Sequence, residues 1–190
     1  MGNIPKRIIV LEGLPASGKT TLANYLVQKY QFSKINESLG RLSEKNITDD
    51  QEEIFLETLE KYQKAARSIK TCMIDRGVPS MICWDFCAEK LGYAKNYQEK
   101  VTWVEEAIQK GELYEPDLYV YIGIDPEDSL KRRERPQTDI DVWSGYKGMA
   151  YAKLFYDDYF SSKSNVVNID GTLDIEQAAK IILERLYEKN

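Results

Sequence analysis

A chain of 190 residues, 43% hydrophobic and 30% charged, is long enough for one domain with a full core and has an ordinary globular composition. A net charge of −5 argues against a protein that coats nucleic acid or lies on an anionic membrane, and no apolar run reaches membrane-spanning length. Three cysteines (Cys72, Cys83 and Cys87) and no histidine argue against a disulfide framework or a zinc site, and leave a carboxylate, Lys, Tyr or thiolate as the only general bases. The segment Met1–Lys6 lacks the apolar stretch of a signal peptide and has Lys at position 6 where myristoylation needs Ser or Thr, so a cytoplasmic setting is expected.

In chain order, Arg7–Leu11 reads as a short buried strand and Thr21–Val27 has helical spacing. Between them Gly13-Leu14-Pro15-Ala16-Ser17-Gly18-Lys19-Thr20 reads G-x-x-x-x-G-K-T, the P-loop pattern in its strand–loop–helix context. The glycines let successive backbone N–H groups wrap a phosphate, and the helix start adds positive potential. Lys19 brings a full charge to the β and γ phosphates, and the Thr20 hydroxyl is a hard oxygen for Mg2+. Gly13, Pro15, Ala16, Ser17, Gly18, Lys19, Thr20 and Thr21 are therefore expected to hold a nucleoside triphosphate.

Gln31–Asn36 predicts a second strand, Glu37–Asn46 a polar loop, and Thr48–Glu53 the capped start of a helix reaching about Lys70. Thr71–Ile74 is a third buried strand ending in Asp75-Arg76-Gly77. Helices follow over Pro79–Leu91 and about Tyr97–Lys110, then a strand over Leu118–Ile124. Asp125-Pro126-Glu127-Asp128 opens a helix running into Lys131-Arg132-Arg133-Glu134-Arg135, followed by a polar stretch to about Gly148. An aromatic-rich helix over Tyr151–Phe160, a strand over Val166–Ile169, the turn Asp170-Gly171-Thr172 and an amphipathic helix over Ile175–Lys189 complete the chain. Alternation of this kind predicts a single α/β domain over 1–190: a parallel sheet of about five strands with helices on both faces.

Ligands bind at the carboxyl ends of the strands in such a sheet. That rule brings the P-loop together with Glu37, Asp75, Arg76, Asp125 and Asp170–Thr172. Asp75 is placed to hold Mg2+ or to take a proton from the acceptor. Arg76 and Glu37 are candidates for binding the acceptor. Arg67, late on its helix beside small residues, is a further cation for it. The three arginines Arg132, Arg133 and Arg135 suit a lid over about 132–148 that closes on transferring phosphates, with Lys19 and Asp75 as the other catalytic candidates. Glu12 either caps its strand or faces the acceptor pocket.

These motifs resemble, in order, the thymidylate kinase and deoxynucleoside kinase group of P-loop kinases. The resemblance rests on Leu11-Glu12-Gly13 leading into Gly18-Lys19-Thr20-Thr21, on Ile74-Asp75-Arg76 and on Pro116–Ile122. Asp125-Pro126-Glu127 with its arginine run and Val167-Asn168-Ile169-Asp170 complete it. It implies ATP as donor, Mg2+ as cofactor, lid arginines at Arg132 and Arg135, and adenine near Asp170, Gly171 and Thr172. The chain departs from thymidylate kinases at Pro15 and at Glu37-Ser38-Leu39-Gly40, and from nucleoside kinases at Asp75-Arg76-Gly77. Phosphoryl transfer to a nucleoside monophosphate is the first expectation, a deoxynucleoside or another small metabolite the second, and a P-loop NTPase switch the alternative from another class. The expected partner is a small-molecule acceptor rather than nucleic acid or a membrane, and a homodimer is compatible with the chain.

Overall fold

The structure, a computed structural model, describes residues 6–37, 51–93, 96–133 and 142–188. Five strands, β1 (Ile8–Glu12), β2 (Ser33–Ile35), β3 (Cys72–Asp75), β4 (Leu118–Gly123) and β5 (Val166–Asp170), form one sheet in the order β2-β3-β1-β4-β5, with every pairing parallel. The helices are α1 (Lys19–Tyr30), α2 (Gln51–Arg67), α3 (Val78–Lys90), α4 (Tyr97–Gln109), α5 (Pro126–Arg132), α6 (Tyr146–Ser161) and α7 (Ile175–Glu188). The expected α/β class and strand count are thus found. The cap expected at Thr48–Asp50 and most of the loop expected over Glu37–Asn46 lie outside the described residues.

Period-two alternation splits the core in two. Ile9 and Leu11 face α1 and α7, burying Leu22, Leu26, Ala179 and Ile182 against Met73, Val120 and Ile122. Val10 faces the other way, into the layer of α2, α3, α4 and α6 with Ile74, Tyr119 and Tyr121. Glu12 continues that second row, so the alternation that buries Val10 also buries a carboxylate.

Among the boundaries that differ from expectation are those of α2 and α6. Helix α2 ends at Arg67 rather than about Lys70, and α6 begins at Tyr146, with Gly148 inside it rather than in a loop. Gly148 reads locally as a breaker, but a Cβ there would run into the Val142 carbonyl, so the missing side chain is a packing requirement.

The chain leaves β1 toward β2 on one side and later crosses from β3 to β4 on the other. The strand order reverses at the carboxyl end of β1, which opens a crevice there.

Candidate active site

The P-loop turns out of β1 through Gly13, at φ 138°, and enters α1 through Gly18, at φ 101°. Both are left-handed conformations that disfavour a side chain, and a Cβ on Gly13 would also strike the Ile122 carbonyl. The Lys19 ammonium folds back into the loop, donating to the carbonyls of Gly13 (2.9 Å) and Leu14 (2.7 Å) and to Ser17 Oγ (3.1 Å). From α5, Ser129 Oγ donates to the Pro15 carbonyl at 2.7 Å and braces the loop from outside.

Burial lowers the Lys19 pKa to about 7, with the neighbouring Arg76 charge pushing the same way, against Asp75, Glu37 and Glu12. Above pH 7 the free amine is largely neutral, and a bound polyanion pulls its pKa back up. Triphosphate binding should therefore take up a proton, more at pH 8 than at pH 6. Binding enthalpies measured in buffers of different ionisation heat will show this, and Lys19→Met should abolish it. Equal proton uptake at both pH values would contradict the assignment.

Parallel pairing of Leu11 with Asp75 sets the end of β3 beside the P-loop. The Thr20 hydroxyl donates to Asp75 Oδ2 at 2.8 Å, while Asp75 Oδ1 is buried with no hydrogen-bond partner among the described residues. The next residue, Arg76, is left-handed at φ 60° and buried. Its Nη1 donates to the Gly13 carbonyl and to Ser80 Oγ, both at 3.2 Å. Its Nε lies 2.7 Å from Glu37 Oε1 but outside hydrogen-bond direction, so this is an ion pair rather than a fork, and its guanidinium stands 5.2 Å over the Trp143 ring.

Glu12 is fully enclosed behind this group. Its Oε1 accepts from Gly77 N (2.8 Å) and Ser80 N (3.3 Å) at the start of α3, and its Oε2 accepts from Ser80 Oγ and from the Tyr156 hydroxyl (3.3 Å). Burial raises its pKa, while the bonds from Ser80 and Gly77 and the charges of Arg76 and Lys19 oppose the rise. Glu12 thus caps α3 rather than its own strand, and it fixes the turn that carries Arg76.

The other expected residues divide. Glu37 reaches the site through Arg76. Arg67 does not: α2 runs against the strand direction, so it ends at the amino edge of the sheet, where Ser68 Oγ meets Ser33 Oγ at 2.9 Å and Lys6 Nζ meets the Ala66 carbonyl. The cation from α2 that does reach the site is Lys61, two turns earlier, whose Nζ donates to the Arg76 carbonyl at 3.2 Å. Arg132 is exposed and donates to the Gly171 carbonyl at 3.1 Å, which joins the end of α5 to the Asp170–Thr172 turn. Asp170 accepts from Thr172 N and Oγ1, which holds its carboxyl below the usual range and shapes that turn. Arg135 lies outside the described residues. Of the expected lid, 132–133 and 142–148 are described, and Arg133 donates to the Trp143 carbonyl across the gap.

Sequence reasoning missed Lys61, Ser80, Ser129, Trp143 and Tyr156. A signal existed only for Lys61, because an antiparallel helix before β3 must bring its earlier residues to the carboxyl edge.

No family model matches the chain. It is 28% identical to thymidylate kinases of Thermoanaerobacter sp. and Thermoanaerobacter pseudethanolicus, over 94% of this chain and 96% of theirs. Its fold matches a deoxyadenosine kinase from M. mycoides with a TM-score of 0.74 at 13% identity, covering 95% of this chain and 99% of that one. It also matches the Candida albicans thymidylate kinase with a TM-score of 0.71 at 18% identity, covering 97% and 92%.

Over nearly its whole length the chain is similar to thymidylate kinases in sequence, and it shares the fold of thymidylate and deoxyadenosine kinases. No helix among its described residues is long and apolar enough to cross a membrane.

Proposed function

We propose that this kinase transfers the γ-phosphoryl group of ATP to a nucleoside monophosphate. The observation that carries this reading is the Gly13 carbonyl, which accepts from Lys19 Nζ and from Arg76 Nη1 at once. Two buried cations, one from each side of the crevice, converge on one point. Cations so placed neutralise a phosphoryl group passing between donor and acceptor, and they hold an anionic acceptor better than a neutral one. In the bound state the acceptor's phosphate takes the position at Arg76 that Glu37 holds in the free chain.

Thr20 Oγ1 and the open Asp75 Oδ1 are hard oxygens that suit Mg2+, which would supply charge neutralisation on the triphosphate. Adenine lies beside Asp170, Gly171 and Thr172, where Arg132 already touches the turn, and Arg132 and Arg135 serve the lid. The three free thiols are all buried, which suits a cytoplasmic setting.

One observation favours the second reading, a deoxynucleoside kinase. Glu37, 2.7 Å from Arg76 Nε, stands where a base would take the proton of a 5′-hydroxyl. Matched pairs of nucleoside and monophosphate, assayed with ATP and Mg2+ on the native chain and on Glu37→Gln, separate the two. The monophosphate should be the better acceptor, with Glu37→Gln lowering turnover by less than about tenfold. A better nucleoside substrate with turnover abolished by Glu37→Gln establishes the second reading, and hydrolysis without any acceptor dependence establishes an NTPase switch.

A further inference from the structure

Lys61 is a buried ammonium that the reading above does not use. It is 6% exposed, and among the described residues its Nζ has one hydrogen-bond partner, the Arg76 carbonyl. An ammonium carries three donors, so two remain open in a place closed to bulk water. Such a group is under-solvated, and a methionine of similar length would fill the same space without that penalty. Glu12, Glu37, Asp75 and Glu57 all act on it electrostatically, yet none pairs with it among the described residues. Glu57, one turn earlier on the same face of α2, buries an Oε2 that also has no hydrogen-bond partner among the described residues. The wall of α2 beside Arg76 thus presents an open donor and an open acceptor, both turned inward.

The left-handed turn at Arg76 explains how the two cations share one place. At φ 60° its carbonyl points to α2 while its side chain reaches across to Gly13. Lys61 and the Arg76 guanidinium therefore stand at the two ends of a single residue, both at the carboxyl edge of β3.

We propose that Lys61 is a second cation for the acceptor's phosphate, sharing it with Arg76 and selecting a monophosphate over its neutral nucleoside. This rests on the monophosphate reading. The acceptor's phosphate oxygens take the two open N–H donors of Lys61, and the Arg76 carbonyl keeps the third.

The test uses thymidine 5′-monophosphate and thymidine, and the deoxyadenosine pair, as acceptors for the native chain, Lys61→Met and Lys61→Arg. Affinity for an ATP analogue, measured on each, confirms that the donor site is intact. Lys61→Met should raise KM for the monophosphate about tenfold or more, change kcat less than about threefold, and leave KM for the nucleoside unmoved. Lys61→Arg should recover most of the monophosphate affinity. If Lys61 only braces the turn at Arg76, then Lys61→Met lowers kcat and Tm for both acceptors alike and Lys61→Arg does not restore them, which overturns the proposal. An unchanged monophosphate KM in Lys61→Met overturns it as well. A native chain that prefers the nucleoside removes the monophosphate reading together with this inference, and that is seen before any variant is made.

Discussion

Replacing Lys19 with alanine should lower kcat/KM about a thousandfold, ~4 kcal/mol of transition-state stabilisation, while Tm stays within a few degrees. The side chain is buried, but its contacts in the free protein are to carbonyls and a hydroxyl of its own loop, not to the core. Those groups can turn to water or to each other when it is gone. The shift of its pKa points the same way. The folded pKa is about 7 and the ordinary lysine value 10.5, so the unfolded chain holds the proton more tightly. The charged lysine therefore costs stability at neutral pH, and this cost fades as pH rises from about 7 toward the unfolded value. Loss of the charge cannot unfold the protein by that route. Activity and thermal unfolding measured on the same preparation decide the matter: retained turnover removes the P-loop assignment, and a large fall in Tm removes the argument that Lys19 is kept for phosphate.

Asp75→Asn should lower kcat by at least about a hundredfold and raise the Mg2+ concentration needed for half-maximal rate. The substitution is isosteric, and an amide oxygen still accepts the 2.8 Å bond from Thr20, so the P-loop and β3 stay aligned. What disappears is the negative charge and one hard oxygen, the buried Oδ1 that has no hydrogen-bond partner among the described residues. Titrating Mg2+ against rate at saturating ATP reads the effect directly. If the Mg2+ dependence is unchanged and only the acceptor KM rises, Asp75 serves the acceptor and not the metal.

Lys19, Thr20 and Asp75 were legible because local rules fix them. The P-loop is a contiguous pattern whose chemistry depends on neighbouring backbone N–H groups. Asp75 follows an uninterrupted apolar run, and strand ends in a parallel sheet lie at the ligand edge. Glu12 was visible as a charged residue but ambiguous in role, since period two says which face it joins and not what waits there. Its partners, Ser80 on α3 and Tyr156 on α6, are 68 and 144 residues away. Tyr156 sits in an aromatic-rich helix where it cannot be told by composition from Phe155 or Phe160.

The choice between Arg67 and Lys61 marks the same boundary. Helix propensity, amphipathic spacing and the small residues beside Arg67 are local, and they describe α2 correctly as a helix. Which end of α2 meets the ligand depends on the direction in which it packs against β3, a relation between elements. The sequence by itself determined the P-loop, the alternation of strands and helices, and the acid and arginine that end β3, because each follows from the covalent order of nearby residues. The tertiary structure alone decided that Arg76 is held between Glu37, Gly13 and Trp143, that Arg132 meets Gly171, and that Lys61 reaches the site. Those contacts join side chains from separate elements, and only the packing of those elements on the sheet sets their distances.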